Sequence, residues 1–163
     1  MISAEDTRSK FVLEAGTKIA DFVVSSRSVD IILGPLGSGK TRGLCVRVMR
    51  HIQEQQKSPI DGLRHSRWAI VRNTLPDLKR TTIRTWLDMF PEHLHGRFIF
   101  GAVLQHRLKF GDILCEVDFL SLDKPEDIRK LRSTEYTGIA FNELPFMERE
   151  LFTEDVRPQL IAH

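Results

Sequence analysis

The residues Gly34-Pro35-Leu36-Gly37-Ser38-Gly39-Lys40-Thr41 match the spacing G-x-x-x-x-G-K-[ST] at every fixed position, and their reading decides the fold. Ahead of them, Val29, Ile31, Ile32 and Leu33 predict a buried strand running into the loop. Behind them, Leu44, Cys45, Val48, Met49 and Ile52 recur at helical spacing. Strand, glycine-rich turn and helix in that order suit a phosphate. The glycines let backbone N–H groups turn inward, and the helix adds the positive end of its dipole. Lys40 is expected to reach the β- and γ-phosphates of ATP, and Thr41 to offer its hydroxyl to Mg²⁺. With Arg42 just beyond, Gly34 to Arg42 form the candidate nucleotide-binding set.

A chain of 163 residues is enough for one domain with a real core and too short for two sizeable ones. At 41% hydrophobic and 28% charged residues it has an ordinary globular composition. A net charge of +2 is compatible with a nucleic-acid partner without demanding one. Cys45 and Cys115 each fall on an apolar face and neither has a C-x-x-C neighbour, which argues against a zinc site or a disulfide framework. Met1 to Lys10 is polar and lacks a signal-peptide core, and no apolar run reaches the length of a membrane span. A cytoplasmic protein with no membrane partner is expected.

Along the chain, residues 7–24 predict a helix through Phe11, Val12, Ala15, Ile19, Phe22 and Val23, with Asp6 or Thr7 as cap. Phe22 is read as a core residue or a neighbour of the adenine ring. Glu54 to Arg67, with Pro59 and Gly62, reads as a surface loop. Trp68 to Val71 is a continuous apolar run, as in a parallel strand covered on both faces. Pro76-Asp77 starts a helix whose apolar face is Leu78, Thr82, Ile83, Trp86, Leu87 and Phe90, ended by Pro91. Its opposite face carries Lys79, Arg80 and Arg84, a solvated face or a DNA contact. From Phe98 to Leu122 the period drops to two, with Ile113, Cys115, Val117 and Phe119 in phase, predicting a small antiparallel meander. Residues 124–132 read as a short helix, 137–141 as a buried strand and 147–160 as helical. The histidines, His93 and His95 included, show no metal-ligand spacing.

Hydrolysis of a phosphoanhydride needs an acid at the end of a neighbouring strand to take a proton from water. Ile139-Ala140-Phe141-Asn142-Glu143 has that form, which makes Glu143 the candidate catalytic carboxylate beside Lys40. Asn142 stands where an aspartate would hold Mg²⁺ through water. An amide keeps the hydrogen bond and loses the charge, so weaker Mg²⁺ binding is expected.

Together these blocks resemble the N-terminal ATPase portion of a tailed-bacteriophage terminase large subunit. The likeness is carried by Gly34 to Thr41, Trp68 to Thr74 with Leu78-Lys79, Phe119 to Asp123, Lys130-Leu131-Arg132-Ser133 and Gly138 to Glu143. The resemblance implies an α/β, ASCE-type P-loop NTPase with three layers and a mainly parallel sheet plus the meander. It also implies packaging of viral double-stranded DNA in a bacterial host cell, alongside a portal, a small terminase subunit and a homo-oligomeric ring. Lys40, Thr41 and Glu143 match its phosphate, Mg²⁺ and catalytic positions. Leu36 stands where family members often carry an arginine that senses the γ-phosphate, leaving Arg42 and Arg72 as candidates. No glutamine precedes the loop in residues 1–30 to serve the adenine. The chain ends at His163, so no nuclease domain and a core incomplete at the C-terminus are expected.

Two further readings stand beside a motor ATPase. One is a catalytically weak, nucleotide-dependent DNA or assembly module, suggested by Leu36 and Asn142. The other is a small P-loop kinase, for which only Arg149 and Arg157 follow Glu143 as lid arginines.

Overall fold

The computed structural model describes residues 14–123, 127, 131 and 133–143. In chain order the elements are α1 (Lys18–Val24), α2 (Lys40–Glu54), β1 (Arg64–Arg72) and α3 (Leu75–Asp77), then a π-helical segment (Leu78–Ile83) and α4 (Arg84–Met89). They continue through α5 (Glu92–His95), β2 (Gly96–Phe100), β3 (Leu104–Phe110), β4 (Ile113–Ser121) and β5 (Gly138–Phe141). The architecture is α/β around a five-stranded sheet in the order β2-β3-β4-β1-β5.

Strand β1 lies in parallel between β4 and β5, with Trp68 level with Val117 on one side and Gly138 on the other. Strand β3 runs antiparallel to both of its neighbours, β2 and β4. The period-two residues Ile113, Cys115, Val117 and Phe119 are buried on one face. They pack with Val48, Met49 and Ile52 of α2 and with Leu78, Ile83 and Trp86 of the helix from Leu75 to Met89. Ala69, Val71 and Leu120 point the other way, into a second cluster with Leu131 and Tyr136. Burial on both faces is why the centre of β1 reads as an unbroken apolar run.

Several expectations need correction. The sheet is mixed rather than mainly parallel, because β4 belongs at once to the meander and to the parallel part. The meander is therefore the edge of the main sheet. Strand β1 starts at Arg64, inside the expected loop. Its polar first half is paid in kind across the sheet: Arg64 Nε donates to Asp112 Oδ2 at 3.0 Å, and Arg67 Nη2 to Asp118 Oδ2 at 3.0 Å. Helix α1 starts at Lys18, after a turn at Gly16 with φ +80° and with Thr17 as its cap. The expected part up to residue 13 lies outside the described residues, as do the helix at 147–160 and most of the one at 124–132.

The largest correction concerns Val29 to Leu33. They form no strand, and Val29, Ile31 and Leu33 are 45%, 60% and 77% exposed. The segment is tethered by charge instead. Arg47 of α2 pairs with Asp30 at 2.8 Å and donates to the carbonyls of Phe22 and Arg27. Burial alone would raise the Asp30 carboxyl, but the Ser25 hydroxyl and the Arg47 guanidinium outweigh it and hold the carboxyl below its ordinary range. Phe22 is a core residue under the Arg47 guanidinium, which lies 4.9 Å from its ring centre.

Candidate functional site

A cavity of about 980 Å³ separates the Gly34–Thr41 loop and the segment before it from the carboxyl end of β5. Every candidate residue of the loop from Gly34 to Arg42 except Pro35 lines it, and so do Asn142 and Glu143. Gly37 and Gly39 take φ of +76° and +82°, the left-handed region that a side chain would disfavour. Gly39 is the N-cap of α2, so the first N–H groups of that helix face the loop's concavity. Lys40 Nζ donates to the carbonyls of Gly34 at 2.7 Å and Pro35 at 2.5 Å and lies 3.3 Å from Ser38 Oγ. Leu36 is at the exposed tip.

The two chemical motifs meet at Asn142. Its N–H donates to the Val71 carbonyl at 2.8 Å, carrying the ladder between β5 and β1 one residue past the strand. Its side chain is buried and works in two directions. Oδ1 accepts from the Thr41 hydroxyl at 3.4 Å, and Nδ2 donates to Thr82 Oγ1 at 2.8 Å. Glu143 follows with φ +75°, the one positive φ outside glycine among the described residues. Its Oε1 pairs with Arg72 Nη2 at 2.7 Å.

Arg72 ends β1 and is buried, and its Nη1 donates to the hydroxyls of Thr81 and Thr82. Both threonines belong to the π-helical segment. Thr81 also donates to the Asp77 carbonyl at 2.7 Å, a local competition for a backbone acceptor of the kind that loosens a helical turn. Arg72 Nε and Asn73 Oδ1 are buried without hydrogen-bond partners among the described residues. Lys79, Arg80 and Arg84 are exposed on the far side of the same helix, with Arg80 paired to Asp77 at 2.9 Å. Arg42 is exposed near the start of α2, whereas Arg72 is engaged with Glu143.

Sequence reasoning missed Thr81 and Thr82. Thr82 stood out only by its place on the expected apolar face and Thr81 not at all, and it is the carboxyl end of β1 that brings Arg72 to both. Among the described residues no group of three or more His, Cys, Asp or Glu side chains could hold a metal, and no helix is long and apolar enough to cross a membrane. Cys45 and Cys115 are unbridged, and burial pushes each thiol up to about 12.

Searches among curated proteins and among solved structures gave no match. Residues 31–162 match the family described as Terminase large subunit, T4likevirus-type, N-terminal. That span takes in the Gly34–Thr41 loop, the helix from Leu75 to Met89 and the β5 end that meets them, and the chain belongs to this terminase large-subunit family.

Proposed function

We propose that this chain is the ATP-binding and ATP-hydrolysing motor part of a phage terminase large subunit, built as an ASCE-type P-loop NTPase and driving double-stranded DNA into a procapsid. The observation that carries the reading is the contact of Thr41 with Asn142, residues 101 positions apart, at 3.4 Å. It brings the glycine-rich loop and the candidate carboxylate to one cavity, as a single phosphoryl-transfer site requires.

In this reading the loop amides and the N-terminus of α2 cradle the phosphates. Lys40 turns its ammonium from the loop carbonyls to the β- and γ-oxygens as a point charge. Thr41 Oγ1 and Asn142 Oδ1 are neutral oxygen donors side by side, which suits Mg²⁺, an ion that takes few protein ligands beside phosphate and water. The ion would supply charge neutralisation for the phosphates. Glu143 orients the attacking water and takes its proton. Asn142 is tied to Thr82 and Glu143 to Arg72, so neither functional side chain is free to wander. Arg42, at the cavity rim, is the remaining candidate for γ-phosphate sensing.

A non-catalytic, nucleotide-dependent DNA or assembly module is the second reading, favoured by the uncharged Asn142 and by Leu36 at the loop tip. ATP turnover with and without duplex DNA, in wild type, Lys40→Ala and Glu143→Gln, decides between them. Lys40→Ala is expected to lose nucleotide binding. Glu143→Gln should keep binding and lose at least about a hundredfold in turnover. Turnover untouched by either change removes the catalytic assignment, and binding without turnover in wild type establishes the second reading.

A further inference from the structure

Helix α2 holds the chain that leads into the glycine-rich loop. Among the described residues, 29 to 33 join no strand and make no backbone-to-backbone hydrogen bond, and Val29, Ile31 and Leu33 are exposed. A segment without a ladder has nothing in its own backbone to fix its path. Two cations of α2 take that part. In the first turn, Lys40 donates to the carbonyls of Gly34 and Pro35. About two turns further along, Arg47 pairs with Asp30 at 2.8 Å, donates from Nη2 to the Arg27 carbonyl at 3.1 Å and from Nη1 to the Phe22 carbonyl. Arg50 serves the next carbonyl, that of Val23, at 2.8 Å. The end of α1, the entering segment and α2 are thus joined at one guanidinium.

We propose that Arg47, through Asp30, is a positioning residue that seats the glycine-rich loop for nucleotide. This rests on the nucleotide-binding part of the reading above. In that reading Lys40 leaves the Gly34 and Pro35 carbonyls for phosphate oxygens, so the grip of α2 on the entering segment passes to Arg47 as phosphate arrives. An arginine suits the task, because its planar fork serves a carboxylate and two carbonyls at once. The seam it spans is tight: a Cβ on Gly43 of α2 would stand 3.0 Å from Ile19 Cγ2 of α1. The Arg47 and Asp30 side chains are only 9% and 12% exposed. Burial works against the Asp30 charge, yet the Ser25 hydroxyl and Arg47 keep the carboxyl ionised. Removing either partner leaves the other charge buried alone, and the segment must move to bring it to water. The loop is then seated for part of the time, and its apparent affinity falls by that fraction. Asn142 and Glu143 take their hold from Thr82 and Arg72 instead, so nucleotide once bound should turn over as before.

The test uses the full chain with Asp30→Asn, Arg47→Met, Arg47→Lys and the double variant Asp30→Asn with Arg47→Met. Asp30→Asn changes one charge on the entering segment, so it keeps the proposal testable should Arg47→Met fold poorly. Three readouts are taken: Kd for a fluorescent ATP analogue with Mg²⁺, kcat and KM for ATP, and the rate of tryptic cleavage after Arg27 without nucleotide. Asp30→Asn and Arg47→Met are each expected to raise Kd and KM by at least about fivefold while kcat stays within about twofold, the signature of lost binding that ground state and transition state share. Cleavage after Arg27 should quicken by a similar factor. The double variant should be no worse than the worse single one, because both remove the same pair. Arg47→Lys keeps the charge and loses the fork, and should fall between wild type and Arg47→Met. Unchanged Kd, a loss confined to kcat, or single effects that multiply in the double variant overturn the proposal. Absence of turnover in every protein overturns the ATPase reading instead, and Kd then judges the seating by itself. Absence of nucleotide binding in wild type overturns the nucleotide-binding reading and the seating with it, whatever the cleavage rates show.

Discussion

Gly138 of β5 lies directly against the indole of Trp68, its register partner on β1: a Cβ on residue 138 would stand 2.3 Å from a ring carbon of Trp68. The indole is buried and stacks on His51 of α2 at 5.7 Å between ring centres, so it moves only by breaking that stack. Gly138→Ala should therefore displace β5 at its start and cost about 1–3 kcal/mol, the usual range for overpacking. A thermal or urea melt measures the loss. Since β5 delivers Asn142 and Glu143, nucleotide affinity should fall with it.

Asn142→Asp tests the uncharged position beside Thr41. The new carboxylate lies within reach of the same hydroxyl, and Thr82 Oγ1 is able to donate where it now accepts. The Mg²⁺ concentration for half-maximal nucleotide binding should fall by about threefold to tenfold, the effect of one added charge in a partly screened site. A titration of Mg²⁺ against a fluorescent ATP analogue reads it directly, and an unchanged midpoint would show that residue 142 does not face the ion.

His106 gives the fold a pH dependence. It is fully buried, accepts from Trp86 Nε1 at Nδ1 (2.8 Å) and pairs through Nε2 with the Gly96 carbonyl at 2.8 Å. That pattern requires a neutral ring protonated at Nε2. Burial lowers its proton affinity below the ordinary value of 6.5 in spite of the Gly96 carbonyl. The unfolded chain then takes up the proton first, so this contribution is complete above pH 6.5 and is lost as pH falls toward the folded value. The slope approaches about 1.4 kcal/mol per pH unit in that window. His51 is lowered too, by burial first and then by Arg47, and adds in the same direction. Urea midpoints between neutral and mildly acid pH should fall in wild type and flatten in His106→Gln.

Asp118 is the buried anchor of the other face. It accepts from Gln105 at 2.7 Å, Tyr136 at 2.8 Å and Arg67 at 3.0 Å. Burial, followed by the hydrogen bond to Asp118, pushes the Tyr136 phenol well above its ordinary range. Asp118→Ala strands all three donors and should cost about 2–3 kcal/mol, while Tyr136→Phe removes a single hydroxyl and should cost about 1 kcal/mol. Equal losses in chemical denaturation would mean that the phenol alone matters.

The parts legible in the sequence were those where a local pattern answers to a local cause. The alternation from Ile113 to Phe119 becomes one buried sheet face, and the apolar run Trp68 to Val71 becomes a strand covered on both sides. Lys40, Thr41, Asn142 and Glu143 could be named from their strand and helix ends, and the cavity joins them. Val29 to Leu33 misled because an apolar run records what a segment is suited to pair with, while its tether here is the ion pair of Asp30 with Arg47. Arg64 and Arg67 hid the start of β1 because their carboxylate partners, Asp112 and Asp118, lie far away in sequence. Thr81 carried no signal and Thr82 only its place on an apolar face, since their partner Arg72 arrives on another strand.

The π-helical segment also sets a phase. An α-helix turns by about 100° per residue, so one residue more or less rotates everything after it to another side. Leu78 and Ile83 reach the core from within the wide turn, and Trp86 and Met89 reach it from the α-helical turns beyond. Thr82 meanwhile faces Arg72. The wide turn takes up one residue more than an α-helical turn, so deleting a single residue between Leu78 and Ile83 would restore ordinary α-helical winding with Trp86 still toward His106, at the cost of the extra residue that sets Thr82 against Arg72. The length of this short piece is thus as fixed as any side chain in it, although Lys79 and Arg80 lie exposed on it.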